Sequence, residues 1–527
     1  MVLLRKVKKN FVVLRDNFED NYGSYILNDT ELPSKFSFKG NFEANGGLSL
    51  NSKNSYSEIA FEGQSFDSSN VLSIGGFSEG LIVRFDVKDS PSLLDVDFRN
   101  GQLIVDSPLT IKQFTSRIGT SLKVNDDLTV VSYMGRRDVE NQRAAAAVEI
   151  ADGKNLLLFT SSNSFVAGDI SGEGGLVFEP QKENVELKLS GENSYTGTTE
   201  IKGGKFNLNS SLVGPVEISK DAKFKITGDK KSVIEGAISG EGGIVLNKDG
   251  LLTPLVLRSN DNSYTGPTQV LKGKLIVDGL LGDETDVFVA KGAHMEFDET
   301  DRIASLTGEG QVQLQTADLI IGSDQDTEWG GVLFGNGGLV KDGSGVLTLT
   351  GPNTYVGNTA ILDGSIVLGR KTTLPYDSEV EIKGGNFDLN GHENVNLGTV
   401  TLNGGTLKNS SGNAWLIPDV YVSAGNESQK FSSIDVSEEA TLELSGVIDG
   451  DSSAALKKIG KGELILSGKN AYSGATMVTG GTLRLAVDQA IPQVCSVTIK
   501  DGGVLDLDGN TNTFNAKKLL VLVEVTL

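Results

Sequence analysis

The chain holds 527 residues, with 65 glycines, 11 prolines, 6% aromatics, one cysteine and four methionines, and its formal charge is −22. So acidic a chain excludes a nucleic-acid surface, which needs clustered Lys and Arg to displace phosphate counterions. Regular short runs of Val, Leu and Ile exclude disorder, and with glycine punctuation they imply an all-β fold of many short strands.

At the amino end Arg5, Lys6, Lys8 and Lys9 form the one basic cluster, which reads as a solvated terminal charge run. Residues 1–14 lack the uninterrupted apolar core and small-residue cleavage site of a secretory signal. The expectation is therefore that export draws on information outside this sequence, or that the chain is a fragment. No run approaches the roughly 18–20 apolar residues of a membrane helix; the longest, 519–523, is far shorter. Residues 1–150 read as a less regular β region, the amino-terminal part of one solenoid that continues through 151–527. Strands are expected at Phe36-Ser-Phe38, 81–87 and 101–111. From Arg136 to Ile150, four successive alanines among Arg, Glu and Gln mark the one place for a short helix or projecting loop.

Further along, one phrase recurs. Leu187-Lys-Leu-Ser-Gly-Glu-Asn-Ser-Tyr-Thr-Gly-Thr-Thr-Glu-Ile returns as Leu347-Thr-Leu-Thr-Gly-Pro-Asn-Thr-Tyr-Val-Gly-Asn-Thr-Ala-Ile, and again from Leu464 to Val478. A looser copy runs from Leu255 through Asn262, Tyr264, Gly266 and Thr268 to Val270. Each copy is followed by a glycine turn and a second alternating strand. Leaders of the form Ser171-Gly-Glu-Gly-Gly-Leu-Val precede the copies, at 239–245 and 334–340 as well, and Lys341-Asp-Gly-Ser-Gly and Lys458-Ile-Gly-Lys-Gly lead into the Leu-x-Leu strands.

The period-two alternation points Leu347 and Leu349 inward and Thr348 outward. The Ser/Thr-Gly and Asn pairs read as corners, because Gly and Asn tolerate positive φ. No single turn can bury its own apolar face, so stacking on neighbours must supply the core, with about 20 coils at roughly 20–25 residues each.

This phrase resembles the passenger-associated transport repeat, also called the autotransporter-associated β-strand repeat, and with its leaders the resemblance covers roughly residues 165–510. It implies a right-handed parallel β-helix in a bacterial surface protein, carried across the outer membrane by a carboxy-terminal barrel. It also implies a repeat that assists folding and transport, and an adhesin or virulence factor as the whole protein. The expected partners are a host-surface receptor or glycan and, for a fragment, the missing barrel; nucleic acid and membrane insertion are not expected.

Since β-helices also carry polysaccharide lyases and hydrolases, catalytic groups need a hearing. Paired carboxylates are the usual equipment. Asp95 with Asp97 and Asp506 with Asp508 each share a strand face, where Leu94, Val96, Leu505 and Leu507 should turn inward and leave the acids solvated; Asp298 with Asp301 is a third pair. Gly76-Phe-Ser78-Glu-Gly80 matches a nucleophile-elbow pattern but lacks the following helix and a near histidine. His294 and His392 are far apart, and Gly450-Asp451-Ser452-Ser453 lacks the glycine of a protease nucleophile segment. The glycine leaders lack the Gly-Lys-Ser/Thr ending of a phosphate loop. Two histidines and Cys495 make no zinc set, and Asn193, Asn262, Asn353 and Asn470 read as turn formers rather than ligands. The reading is a non-catalytic rod with no catalytic, metal or cofactor site and no cofactor; the alternative is a carbohydrate-active enzyme on the same scaffold.

Overall fold

The computed structural model describes residues 25–26, 35–39, 42–44, 48–51, 57–63, 66–74, 81–87, 92–98, 101–116, 120–135, 147–371, 373–423, 431–451, 454–514 and 519–521. The basic terminal cluster, Ser78 with its glycines, and 136–146 lie outside them. Among the described residues every regular element is a strand, and every strand pairing is parallel. The protein is a parallel β-solenoid of about 20 turns. Two compact units divide it, Met1–Pro267 and Thr268–Leu527.

In the first unit the turn made by Ala147–Ile150, Asn155–Thr160 and Ser164–Val166 stacks on the turn made by Ile170–Gly172, Gly175–Pro180 and Glu186–Leu189. The register sets Val148 beside Ile170, Leu156 beside Leu176 and Phe165 beside Lys188. A turn thus has three faces, and each strand meets its partner about 20 residues downstream, within the range of solenoid repeats. The helix or loop expected at 136–150 is corrected over its last residues. Ala147–Ile150 is a strand with Val148 and Ile150 buried; pairing with Ser121–Val124 on one side and Ile170–Gly172 on the other outweighs the alanines' helical preference.

Alternation works as the sequence implies. Leu187, Leu189, Phe206 and Leu208 are fully buried, and rings stack up the interior, with Phe206 edge-on to Phe178 and Phe224 at centroid distances of 6.2 and 5.4 Å. In the second unit Leu347 and Leu349 are fully buried, whereas Thr348 is half-exposed beside Glu328 and Val367.

Candidate functional site

A polar side chain drawn into such a stack must find a partner within the stack, in its own turn or a neighbouring one. The repeat's signature residues serve the stack in four ways, one by close approach and three by meeting that demand.

Gly191, Gly351 and Gly468 do not have positive φ, and neither do the asparagines two residues later. These positions need glycine for a different reason, the close passage of the preceding turn. A Cβ on Gly351 would stand 1.8 Å from the Gly331 carbonyl oxygen, and one on Gly474 would stand 1.2 Å from that of Ala454. Positive φ is required instead at the glycine turn after the repeat, at Gly204, Gly364 and Gly481 (φ 65°, 65° and 61°).

The asparagines are bridges between turns. Asn470 Oδ1 accepts from the Ile448 amide of the preceding turn at 2.8 Å, while its Nδ2 donates to the Ala490 carbonyl of the following turn at 2.7 Å. Asn353 repeats the arrangement with Leu333 N at 2.8 Å and Thr373 O at 2.6 Å. Asn262 accepts from Ile238 N at 2.7 Å, and Asn193 donates to Ser210 Oγ at 2.8 Å. For Asn353 and Asn470 the expectation of turn formers is thereby corrected: the side-chain amide matches a backbone N–H and C=O one turn apart on either side. Asn262 Nδ2 instead donates to Ser259 O within its own corner.

Tyr195, Tyr355 and Tyr472 are buried, and each hydroxyl meets a buried threonine four residues on. The Tyr195–Thr199 and Tyr355–Thr359 oxygens are 2.6 Å apart, and those of Tyr472 and Thr476 2.8 Å. Burial holds all three phenols above their ordinary value, so they stay neutral.

The fourth device was hidden in the sequence. Lys341 and Lys458 of the Lys-x-Gly-x-Gly phrases, and Lys248, are buried. Lys458 Nζ donates to the carbonyls of Ile459, Gly460 and Gly480 at 2.7, 2.9 and 3.2 Å, so it ties its own corner to that of the next turn. Lys341 Nζ donates to Gly343 O at 2.5 Å and Ser323 O at 3.4 Å, and Lys248 Nζ to Ser232 Oγ at 3.0 Å and to Lys230 O. Burial lowers all three ammonium groups, Lys248 and Lys458 to about 8.

The nominated carboxylates do not converge. Asp95 and Asp97 share the strand Ser92–Phe98 as expected; Val96 between them is buried and Asp97 is half-buried. The side chain of Asp95 lies outside the described residues. Asp506 and Asp508 do not share a strand face, because the strand ends at Asp506 and Asp508 has a φ of 48°. The Asp506 carboxylate accepts from the Asp508 amide at 2.9 Å and closes a turn. That bend also turns Leu507 outward to 39% exposure and leaves Leu505 half-buried, against the inward facing expected of both. Asp298 and Asp301 flank a corner. Asp301 is 2% exposed; one oxygen accepts from Leu281 N at 2.9 Å, the other has no partner, and burial raises the carboxyl to about 7.

Histidines and the cysteine serve packing. His294 sits edge-on to Phe334 at 5.7 Å, lowered by burial and by Lys274, and a ring nitrogen of His392 lies 3.1 Å from Leu368 O. Cys495 is buried with its thiol on Tyr472 O at 3.2 Å. Asp451 accepts from Tyr421 OH at 2.7 Å, and Ser452 and Ser453 lie outside the described residues. Among the described residues no three His, Cys, Asp or Glu side chains gather closely enough to hold a metal ion.

Stacked parallel turns with a recurring Asn, Tyr–Thr and Lys ladder place the chain in a class, the repeat-built parallel β-solenoids. The passenger-associated-transport-repeat family matches residues 186–208, 255–277, 339–368 and 456–485, and the chain is autotransporter passenger sequence carrying these repeats. It is similar to the adhesin BmaC autotransporter of Brucella suis biovar 1, at 25% identity over 536 residues covering 75% of this chain and 15% of that protein. It is similar also to the probable autotransporter YfaL of Escherichia coli K12, at 22% identity covering 70% of this chain and 32% of the relative. A shorter likeness, 37% over 111 residues, covers 21% of this chain and 9% of the autotransporter lipoprotein NalP of Neisseria meningitidis serogroup B. The chain thus spans less than a third of the length of each of these relatives. No solved structure matches it. Autotransporter passengers are surface-exposed and outer-membrane-associated.

Proposed function

We infer that this segment is a non-catalytic passenger rod that serves its own folding and secretion and presents adhesive loops at the bacterial surface. One observation carries the reading: the recurring Asn, Tyr, Thr and Lys side chains are spent on bonds inside the stack, within a turn or between successive turns, so the repeat's chemistry points into the stack rather than toward a substrate. Its expected partners are a host receptor or glycan and a carboxy-terminal barrel in the outer membrane, consistent with a relative named as an adhesin. The scattered carboxylates speak against the alternative, a carbohydrate-active enzyme, which needs acids converging on one cleft. Deleting 464–485 from a longer parent that includes a barrel should impair surface display while leaving ligand binding by the displayed remainder intact. Normal display after that deletion would remove the folding and secretion role; hydrolysis or elimination of a glycan by the purified chain would overturn the non-catalytic one.

A further inference from the structure

In the first unit three stacked strands, Glu186–Leu189, Lys205–Leu208 and Lys223–Ile226, make one face of the solenoid. Their outward residues are Glu186, Lys188, Lys205, Asn207, Lys223 and Lys225. The register puts Lys205 between Glu186 and Lys223, and Asn207 between Lys188 and Lys225. Lys188, Lys205 and Lys223 are exposed and Lys225 half-exposed. The single carboxylate, Glu186, accepts from Asn207 Nδ2 at 2.6 Å. The adjoining face has the opposite sign, with Glu200 and Glu217 side by side in register.

Two features mark these lysines. Several outer-face lysines of this acidic chain meet a carboxylate, as Lys123 meets Glu149, Lys202 meets Glu179 and Lys461 meets Glu438. Lys112 and Lys457 do not meet one among the described residues, but neither adjoins another lysine in register. Lys205, Lys223 and Lys225 have no ion pair or hydrogen bond to any described residue, and Lys188 lies over the Phe165 ring at 5.8 Å. Like charges on directly opposed residues of neighbouring strands cost stability. A fold that tolerates this cost in a chain of net charge −22 holds a cationic grid on this face, whose one carboxylate, Glu186, is engaged by Asn207.

We propose that this face binds an acidic polysaccharide, with the lysine grid meeting sulfate or carboxylate groups strung along the glycan. Strands repeat every ~4.8 Å, close to the length of one sugar residue, so successive turns offer a cation to successive anionic sugars of an extended chain. The Phe165 ring beside Lys188 adds an apolar edge for a sugar face. Duplex DNA and anionic membranes present anions over a far wider front, and the acidic remainder of the molecule would repel them. That the polymer belongs to a host surface rests on the display reading above; the binding chemistry does not.

Heparin is the probe, with dextran as its uncharged counterpart and duplex DNA and phosphatidylserine vesicles as polyanions of other classes. The purified full chain should bind heparin at low salt, lose it as salt rises, and ignore dextran. Replacing Lys205, Lys223 and Lys225 together by Glu should weaken heparin binding about tenfold or more, whereas Lys461→Glu should leave it unchanged. The same three positions changed to Gln relieve the Lys205–Lys223 repulsion, so that variant should fold at least as stably and still lose heparin. Absence of heparin binding by the parent chain, triple variants that bind heparin as tightly as the parent, or preference for DNA or vesicles would overturn the assignment. So would charge-dependent self-association of the chain with no effect of heparin. Heparin binding by a chain that is never displayed would count against the display reading alone.

Discussion

The corners that hold Lys458 and Asp301 both bury an ionisable group, and they treat it differently. Lys458 faces three backbone carbonyls, while Asp301 receives one amide and leaves its other oxygen without a partner. An interior charge is tolerable when hydrogen bonds replace the water it gave up, and otherwise the group shifts toward its neutral form. Asp301 accordingly rises from 3.8 to about 7, and Lys458 falls from 10.5 to about 8 despite its carbonyls, because burial is the larger influence. The lesson is that the lysine is a built fastener and the aspartate a tolerated load.

The sharpest way to break this contrast is to add a third case with no partners at all. Leu349→Asp places a carboxylate where the neighbours in register are Trp329 and Leu368, and it should cost at least about 4 kcal/mol, seen as loss of hydrogen-exchange protection through the surrounding turns. Asp301 comes next. Its folded-state value lies above its unfolded one, so its contribution is fully present below about pH 4 and is lost as pH rises toward 7. Above pH 7 Asp301→Asn should stabilise the second unit by up to about 4 kcal/mol, and denaturant melts should show the variant with a flatter pH dependence between 4 and 7.

Lys458→Met strips three carbonyls of their donor and should destabilise by about 2 kcal/mol at pH 7. The lysine's folded value lies below its unfolded one, so the parent gains stability as pH climbs from about 8 toward 10.5, a rise the variant should lack. Tyr472→Phe leaves the buried Thr476 hydroxyl without its 2.8 Å partner, and about 1 kcal/mol should follow in the same melts. Thr348→Asp, half-exposed beside Glu328, should cost about 0.5 kcal/mol. A loss matching that of Leu349→Asp would mean that the facing of this strand is wrong.

How far the sequence could be read depends on whether a residue's partner is near it in the chain. Strand alternation is local, so the burial of Leu187, Leu347 and Leu464 was legible from spacing alone, and repetition made the stacking legible too. Roles set by a neighbour about one turn away were not. Asn353 and Asn470 looked like turn residues because the amide and carbonyl they join lie in other turns. Gly351 looked like a source of positive φ because nothing nearby in sequence announces the Gly331 carbonyl. Lys458 reads as one more solvated lysine until its three acceptors are placed around it. The outward Leu507 was missed for a local reason, the Asp506–Asp508 turn that ends the strand's alternation early.

The asparagine bridges have one more consequence. Asn470 is saturated toward Ile448 as soon as its own turn closes, yet the donor it aims at Ala490 is idle until the following turn arrives. The repeats at 347–368 and 464–485 therefore each carry a prepared docking point for the turn after them, so these turns can be assembled like a wall laid course by course. A polypeptide threaded out of a cell in extended form could capture each newly emerged stretch this way, and slippage backward would have to tear a finished course apart.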